Sequence, residues 1–329
     1  MTRSLLDIRL RPHRADDLAE FVRIANDANE ADGIDERSSE AGLGNWLLTE
    51  RANYHPAEDI VVATVDGRMA GYGWVDWVVM SEGKREYRTR GHVDPAWRRQ
   101  GVGSAILAHN EARLLEIAAG HPDDLPRVFG AFAPERRVGA VALILRAGYQ
   151  PVRYFFDMVR PTLDEVELPP LPEGMAIRGV NDMDGYRRLF AADTEAFLDH
   201  WGGFDASEAS FQQWLTEPNF DPGLFVIAWD GDEIAGAVIN TIDVEENEAL
   251  DRRRGLLDSV FVRRPWRRRG LAAALVGRSM ELLRERGMTS AWLGVDADNP
   301  TGALGVYERA GFEVHLRSSA HHKPMEVPR

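Results

Sequence analysis

The sequence contains no cysteine. That excludes disulfides, thiolate metal ligands and a cysteine nucleophile able to carry an acyl group, and it leaves the redox compartment open. No apolar run approaches the length of a membrane span. Arg3, Asp7, Arg9 and Arg11 interrupt the N-terminal stretch where a signal peptide would place its apolar region. A cytoplasmic location and no membrane partner are therefore expected. Positive charge is also short, the formal net charge being −14. Nucleic acid is not an expected partner, because phosphate contacts need a basic face. No metal is expected either.

What is present is globular. Hydrophobic residues make up 44% and charged residues 28%, inside the range of folded domains. A length of 329 residues suffices for two domains with separate cores. The basic residues cluster at Arg98-Arg99, Arg252 to Arg254, Arg263-Arg264 and Arg267 to Arg269. Short cationic clusters in an acidic chain suit a small phosphorylated ligand.

The stretch Leu257 to Arg286 organises the rest. Leu257 to Val262 has strand composition, and apolar residues recur at helical spacing from Leu271 onward. Arg267-Arg268-Arg269-Gly270-Leu271-Ala272 lies between them. The first N–H groups of a helix have no intrahelical partner and the helix dipole is positive there, so a strand–turn–helix of this composition traps anions. Gly270 and the small Ala272 allow close approach of a phosphate. The same pattern occurs earlier, where Val93 leads to Arg98-Arg99-Gln100-Gly101-Val102-Gly103 and a helical run. The two glycines, 101 and 270, stand 169 residues apart. Asp66-Gly67 is echoed by Asp230-Gly231, Arg146-Ala147-Gly148-Tyr149 by Arg309-Ala310-Gly311-Phe312, and Ile8-Arg9 by Ile177-Arg178, at nearly the same step. A repeat this long is a duplicated domain.

Taken in order, the first half reads as a strand over Leu5 to Arg11 ended by Pro12, and a helix over Asp16 to Asn26. A helix near Leu43 to Arg51 follows, then a hairpin of Ile60 to Val65 and Met69 to Val79 around Asp66-Gly67. A strand over Glu86 to Val93 runs into the loop and its helix. Next come a strand at Arg127 to Ala133, a helix at Val138 to Arg146 and closing strands over Tyr149 to Val159. The second half repeats this: a strand at Met175 to Arg178, helices at Met183 to Phe197 and Ser207 to Leu215, and a hairpin of Leu224 to Trp229 with Ile234 to Val244. It ends with a strand at Ser290 to Val295, a helix at Thr301 to Ala310, a strand at Phe312 to Leu316 and a last short strand near Met325. Between the halves, 161–174 is a linker stiffened by Pro169, Pro170 and Pro172, with no period that would place it in a core. The expected domains are 1–160 and 175–329.

The motif Arg-x-x-Gly-x-Gly/Ala in this setting resembles the acetyl-CoA pyrophosphate loop of the GNAT superfamily of N-acetyltransferases, and the element order resembles that fold. The resemblance covers nearly the whole chain as two tandem GNAT-like domains. It implies an α/β (α+β) class, each domain a mixed, mostly antiparallel twisted sheet flanked by helices. It also implies that backbone groups of Val260 and Val262 pair with the pantetheine amides. The segment Asp296-Ala297-Asp298-Asn299-Pro300 through Tyr307 and Gly311-Phe312 matches the family's second diagnostic segment. Asn299 falls where the family contacts pantetheine, and Tyr307 where a phenol acts on the departing thiolate. Two plainer readings stand beside these: Asn299 as a helix cap and Tyr307 as a core residue.

The first half lacks the pair. Ile144 stands at the place of Tyr307, and Ala133-Pro134-Glu135-Arg136 replaces the Asp-Asn-Pro run. Its loop is intact, so the first domain binds a CoA-type ligand without turnover, is a structural relic, or shapes the other domain's pocket. Attack on a thioester needs a neutral amine, and hence a base. Asp258 is the candidate, although family bases commonly lie two residues earlier, where Leu256 stands. A solvent-facing or paired carboxylate is the other reading of Asp258. His200 and Trp201, in the loop 199–203, are candidates for the acceptor wall, and a packed loop histidine is the alternative for His200.

The expectation is an acetyl-CoA-dependent N-acetyltransferase that acts on a primary amine of a small molecule by direct attack in a ternary complex, as a monomer or homodimer. A non-catalytic acyl-CoA-binding or sensing protein is the alternative.

Overall fold

The structure, a computed structural model, describes residues 7–198, 201–202, 206–299 and 302–326. They divide into two compact units, one of residues up to Arg153 together with those from Ser318 onward, the other Tyr154–Arg317.

In the first half the strands are β1 (Ile8–Pro12), β2 (Ile60–Val65), β3 (Arg68–Val79), β4 (Arg85–Val93), β5 (Arg127–Pro134) and β6 (Gln150–Arg160). The helices are α1 (Leu18–Ala31), α2 (Glu40–Leu48), α3 (Pro56–Asp59), α4 (Val102–Ala119) and α5 (Val138–Arg146). The second half has β7 (Met175–Ile177), β8 (Val226–Asp230), β9 (Glu233–Thr241), β10 (Arg254–Val262), β11 (Ser290–Asp296) and β12 (Glu313–Pro324). Its helices are α6 (Met183–Phe197), α7 (Glu208–Leu215), α8 (Val244–Ala249), α9 (Leu271–Glu285) and α10 (Ala303–Arg309). The mixed α/β class is as the sequence implied. The short helices α3 and α8 were not expected.

Local chemistry accounts for most boundaries. Ser39, Asp182 and Ser207 cap α2, α6 and α7, each side chain accepting from a backbone N–H three residues on. Asp66 and Gly67 both have positive φ, 51° and 76°, as the tight turn between β2 and β3 requires. β1 ends at Pro12, which pairs with Val61 at its last register position, a place on an edge strand where a missing N–H costs little.

The two sheets share one plan. β1 to β4 pair in order, antiparallel, and β4 pairs β5 in parallel. Likewise β7 to β10 pair antiparallel and β10 pairs β11 in parallel. Each sheet is then completed by a strand from the other half of the sequence. Ser318 to Pro324 of β12 pair with β5, and Phe155 to Arg160 of β6 pair with β11. The closing strands, expected as more than one in each half, are thus one long strand each, and the compact units cross the halves of the repeat.

Side chains fix the exchange in the first unit. Lys323 Nζ donates to both oxygens of Glu111 at 2.9 and 3.0 Å and lies over the rings of Phe129 and Tyr149. His322 Nε2 meets Glu86 Oε1 at 3.0 Å, with both side chains buried. Breaking a buried pair of this kind leaves an uncompensated polar group.

The segment 161–174, expected to be a stiff linker with no period that would place it in a core, packs on the second unit. Leu163 is buried in the core of the second unit, with Val166 and Leu171 packed against it. Arg278 Nη1 donates to Pro169 O at 2.8 Å, and a Cβ on Gly277 would fall 2.5 Å from Glu167 O. Scattered apolar residues with no period still bury when backbone bonds hold the chain against a helix.

Ending the chain after Arg317 removes the β12 ladder, Lys323 and His322 from the first unit. Hydrogen exchange should then show β5 amides losing protection by roughly tenfold or more, while the β10–β11 ladder keeps its own. Unchanged protection over 128–134 would contradict the exchange.

Candidate active site

The site geometry begins with the one parallel pair in each unit. In the second unit β10 and β11 are in register only over Arg254–Leu256 and Ser290–Trp292. In the first, β4 and β5 pair from Arg85 to Thr89. Beyond those points the parallel ladders end, leaving one edge of Asp258 to Val262 and of Arg90 to Val93 without a β partner; in the first unit that edge lines a cleft. Backbone N–H and C=O groups there need acceptors and donors from elsewhere. On the opposite edge Val260 pairs with Val238 and Val262 with Gly236. Gly236 is required: a Cβ would sit 2.6 Å from Phe261 O, just as one on Gly71 would sit 2.7 Å from His92 O.

Each parting strand leads through a single 3-10 turn into the basic loop. The loops are conformational copies. Arg99 and Arg268 have φ of 62° and 63°, and Gly101 and Gly270 have φ of 98° and 83°. A non-glycine residue held left-handed costs on the order of 1 kcal/mol or more, so its recurrence at equivalent positions marks a constrained loop. Turns of this kind bring successive N–H groups to one concave side, and each loop opens directly into a helix N-terminus, α4 or α9.

The leading arginines do something other than offer donors. Arg267 N donates to Arg264 O, its Nε to Val262 O at 2.9 Å and its Nη2 to Ala196 O. Arg98 pairs bidentately with Asp32 at 2.7 and 2.9 Å and reaches Val93 O and Ala28 O. Both guanidiniums brace the loop against the strand and the first helix. Gln100 is likewise turned inward, to Ala96 O. Arg99, Arg268, Arg269, Gly101, Gly270, Leu271, Ala272, Val102 and Gly103 form the rest of the two turns and the first helical turns.

In the second unit the β9–β10 ladder shifts register between Leu257 and Ser259. Asp258 is the extra residue, and bulges re-aim side chains at sites. β3 and β4 pair without a break, so the first unit has no such feature. Asp258 is exposed by area yet sits in a recess crowded by protein, and the resulting desolvation raises its pKa. Beside it lies a group the sequence reading missed. Asp193, on α6, is only 8% exposed and accepts a 2.6 Å bond from Ser259 Oγ. Burial, with a smaller push from Asp258, raises its pKa to about 7. In sequence Asp193 is one polar residue on an amphipathic helix, with no local signal.

Tyr307 is buried on α10, in contact with the core and with Phe312. Burial raises its pKa, so it remains a neutral phenol able to donate. Asn299 does not cap α10: that helix starts after Gly302, and Asn299 O accepts from Gly302 N. Trp201 lies against Phe155 at 5.8 Å between ring centroids. His200 is outside the described residues.

In the first unit a cleft of about 640 Å³ opens between β4 and β5, from the Arg98–Gly103 loop inward to Thr89 and Ala131. Ile144 lines it where the second unit has its phenol. That cleft therefore carries none of the reactive side chains of the second unit. Volume alone performs no chemistry, and the phenol, the two carboxyls and the bulge all belong to the second unit. No group of three or more metal-ligating side chains occurs among the described residues, and no helix there is long and apolar enough to cross a membrane.

A parted parallel pair, a pyrophosphate-type loop at a helix N-terminus and the Tyr307 segment define the class. Residues 186–312 match the model of the acetyltransferase (GNAT) family, and the chain belongs to that family. It is an enzyme, an N-acetyltransferase with two tandem GNAT domains. It is 30% identical to the mycothiol acetyltransferase of Salinispora arenicola over 95% of this chain and 93% of the relative. It is 28% identical to that of Geodermatophilus obscurus over 91% of each. The GCN5-related N-acetyltransferase of Sphaerobacter thermophilus superposes with a TM-score of 0.72 at 27% identity, over 98% of this chain and 97% of that one. A tandem GNAT protein from the clavulanic acid biosynthesis pathway, 17% identical with a TM-score of 0.69 over 97% and 98%, shares the fold.

The raised pKa of Asp193 has a measurable consequence. The native state holds its proton between about pH 4 and 7 while the unfolded chain, with a carboxyl of ordinary pKa, has lost it. Stability should therefore fall as pH rises through that window, by at most about 1.4 kcal/mol per unit, and level off above it. Asp193→Asn keeps a Ser259 acceptor and should flatten the slope, which denaturant melts at pH 5, 6, 7 and 8 will read. An unaltered slope would mean that Asp193 is ionised in the native state.

Proposed function

We propose that the second unit transfers an acetyl group from acetyl-CoA to a primary amine of a small molecule, by direct attack within a ternary complex. The observation that carries this reading is the join of three features in one unit: the early parting of β10 from β11, the Arg268–Ala272 turn at the start of α9, and the buried phenol of Tyr307. The turn's free N–H groups, with Arg268 and Arg269, hold the pyrophosphate. The open edge at Val260 and Val262 pairs with the pantetheine amides, and Asn299 is a further contact to the pantetheine arm. Acetyl-CoA supplies an activated acyl group and a thiolate leaving group.

The chain's own residues manage the protons. The amine arrives largely as an ammonium and must lose a proton before attack. Asp258, aimed by the bulge, is the first acceptor, and the Ser259–Asp193 bond holds that strand segment against α6. Tyr307 donates to the departing sulfur. It stays protonated at neutral pH because burial disfavours the phenolate. No cysteine is available to carry the acyl group, which favours direct transfer. The names of the relatives point to the mycothiol series, and we take the acceptor to be the amine of a cysteinyl pseudo-disaccharide. The first unit holds an acyl-CoA without turnover, since it has the loop and cleft but neither phenol nor bulge.

Two outcomes test this reading. A Cβ at Gly270 meets no atom within 4 Å, so Gly270→Glu can fold while setting a charge against the pyrophosphate. Gly270→Ala controls for the left-handed φ. Gly270→Glu should abolish turnover, and Gly101→Glu should leave the chemical step largely intact; calorimetry and free-thiol release read the two effects. The reading fails if the folded Gly270→Glu protein acetylates at the parent rate.

Tyr307→Phe keeps the ring and its packing. It should lower kcat by about 10²- to 10⁴-fold with little change in acetyl-CoA binding, because a donor to the leaving group acts mainly in the transition state. Equal turnover would assign Tyr307 to the core alone.

A further inference from the structure

The first unit's cleft is not a faded copy of the second's, because its inner wall has been rebuilt with hydrogen-bond donors. His92 pairs with Tyr72, one step from Gly71, as Phe261 pairs with Ala237, one step from Gly236. An imidazole thus replaces a phenyl ring. By the same register Arg90 stands where the second unit has Ser259. Arg137, which opens α5, also lines the cleft.

These groups gather around polar atoms with no hydrogen-bond partner in the protein. Arg137 Nε, His92 Nδ1, Tyr72 Oη and Trp74 Nε1 are all shut off from water and unpartnered. Tyr72 and Trp74 are 0% and 5% exposed. The His92 ring lies 5.4 Å from that of Tyr72 and 5.9 Å from that of Trp74. Such atoms each carry a desolvation penalty; Arg137 and His92 line the cleft, with the Tyr72 ring beside His92, and this points to something in the cleft that satisfies them.

The missing partner is an acceptor, and the local charge says it is anionic. Arg137 Nε and Trp74 Nε1 can only donate, and Tyr72 Oη can donate as well as accept. Burial, with Arg137 and Arg98 nearby, pushes the His92 pKa down to about 3, so the imidazole is neutral and adds no charge of its own. Of the carboxylates nearby, Asp32 is engaged by Arg98 and Asp76 by Arg88 and Arg90, while Asp32 and Glu36 act on Arg137 through space without a bond. The Nη2 of Arg137 donates to the neutral Asn29 Oδ1 at 2.6 Å. Arg137 therefore has no bonded counter-ion.

We propose that the inner end of the first unit's cleft is a carboxylate site, centred on Arg137 and His92, and that the ligand retained there is an acyl-CoA whose acyl group ends in a carboxylate. This rests on the reading that the Arg98–Gly103 loop holds CoA. The same recess would also take a free dicarboxylate beside CoA, and the test separates the two sources.

The full-length chain carrying Gly270→Glu confines binding to the first unit. It is titrated calorimetrically with acetyl-CoA, with succinyl-CoA, and with succinate in the presence of CoA. Succinyl-CoA should bind at least about tenfold more tightly than acetyl-CoA, the scale of one charge-assisted hydrogen bond. Arg137→Gln, and His92→Phe, which restores the second unit's residue, should erase the preference while leaving acetyl-CoA affinity near the parent's. Succinate binding beside CoA, without a preference for succinyl-CoA, would keep the carboxylate site and make the acid a separate ligand. Acetyl-CoA binding as tightly as succinyl-CoA, with no succinate binding, overturns the proposal and spares the CoA reading. Succinate binding with no CoA species bound would spare the carboxylate site and overturn the CoA reading. If neither binds, both fall. The parent comparison decides the matter even where a substitution at Arg137 prevents folding.

Discussion

The site depends on a parallel pair of strands that stops early. Parallel ladders need every backbone group on the shared edge to find a partner, and here β4–β5 and β10–β11 pair at one end only. The unpaired length cannot close on itself, because each strand's far edge is already bonded to an antiparallel neighbour. What remains is a slot lined with backbone donors and acceptors, at the foot of a helix N-terminus. The loops, the left-handed arginines and the close-approach glycines all serve to keep the slot's mouth in one shape.

Duplication supplied the slot twice, and the two copies then diverged at a few side chains. In the second unit the bulge at Asp258 and the Asp193–Ser259 bond lie on and beside the open strand, and Tyr307 is buried on α10. In the first, Ile144 removes the phenol and Arg90, His92 and Arg137 line the cleft with donors. Neither change disturbs the sheet, since all of these residues sit where the strands have already parted or on the helices beside them. The scaffold tolerates a change of chemistry because the chemistry hangs on an edge that carries no ladder.

Much of this was legible in the sequence and some was not, for definite reasons. The loops were legible because Arg-x-x-Gly-x-Gly/Ala places a glycine where φ must be positive, and the structure puts Gly101 and Gly270 there. The hairpin at Asp66-Gly67 and the capped helix from Met183 to Phe197 were legible from local rules alone. The role of Arg98 and Arg267 was not, because their partners, Asp32 and Ala196, lie 66 and 71 residues away. Nor was the bulge, which is a property of two strands and not of one. Asp193 gave no signal because its depth is set by what β10 places over it. Leu163, Val166 and Leu171 obey no period, so their burial waited on the fold. The final strands were read as pairs of short ones because nothing local marks that Gln150–Arg160 and Glu313–Pro324 each run on unbroken.

That last feature bears on how the chain is made. Residues 318–324 are translated after the whole of the second unit, yet β5, some two hundred residues earlier, pairs with them. During synthesis the first unit therefore waits with an open sheet edge while its neighbour is still emerging. An edge of that kind is a template for wrong partners, and domains of a nascent chain normally close in order from the N-terminus. Here the order is inverted at one strand. The earlier unit is finished last, and the cell must keep its edge unpaired until the end of the second half has left the ribosome.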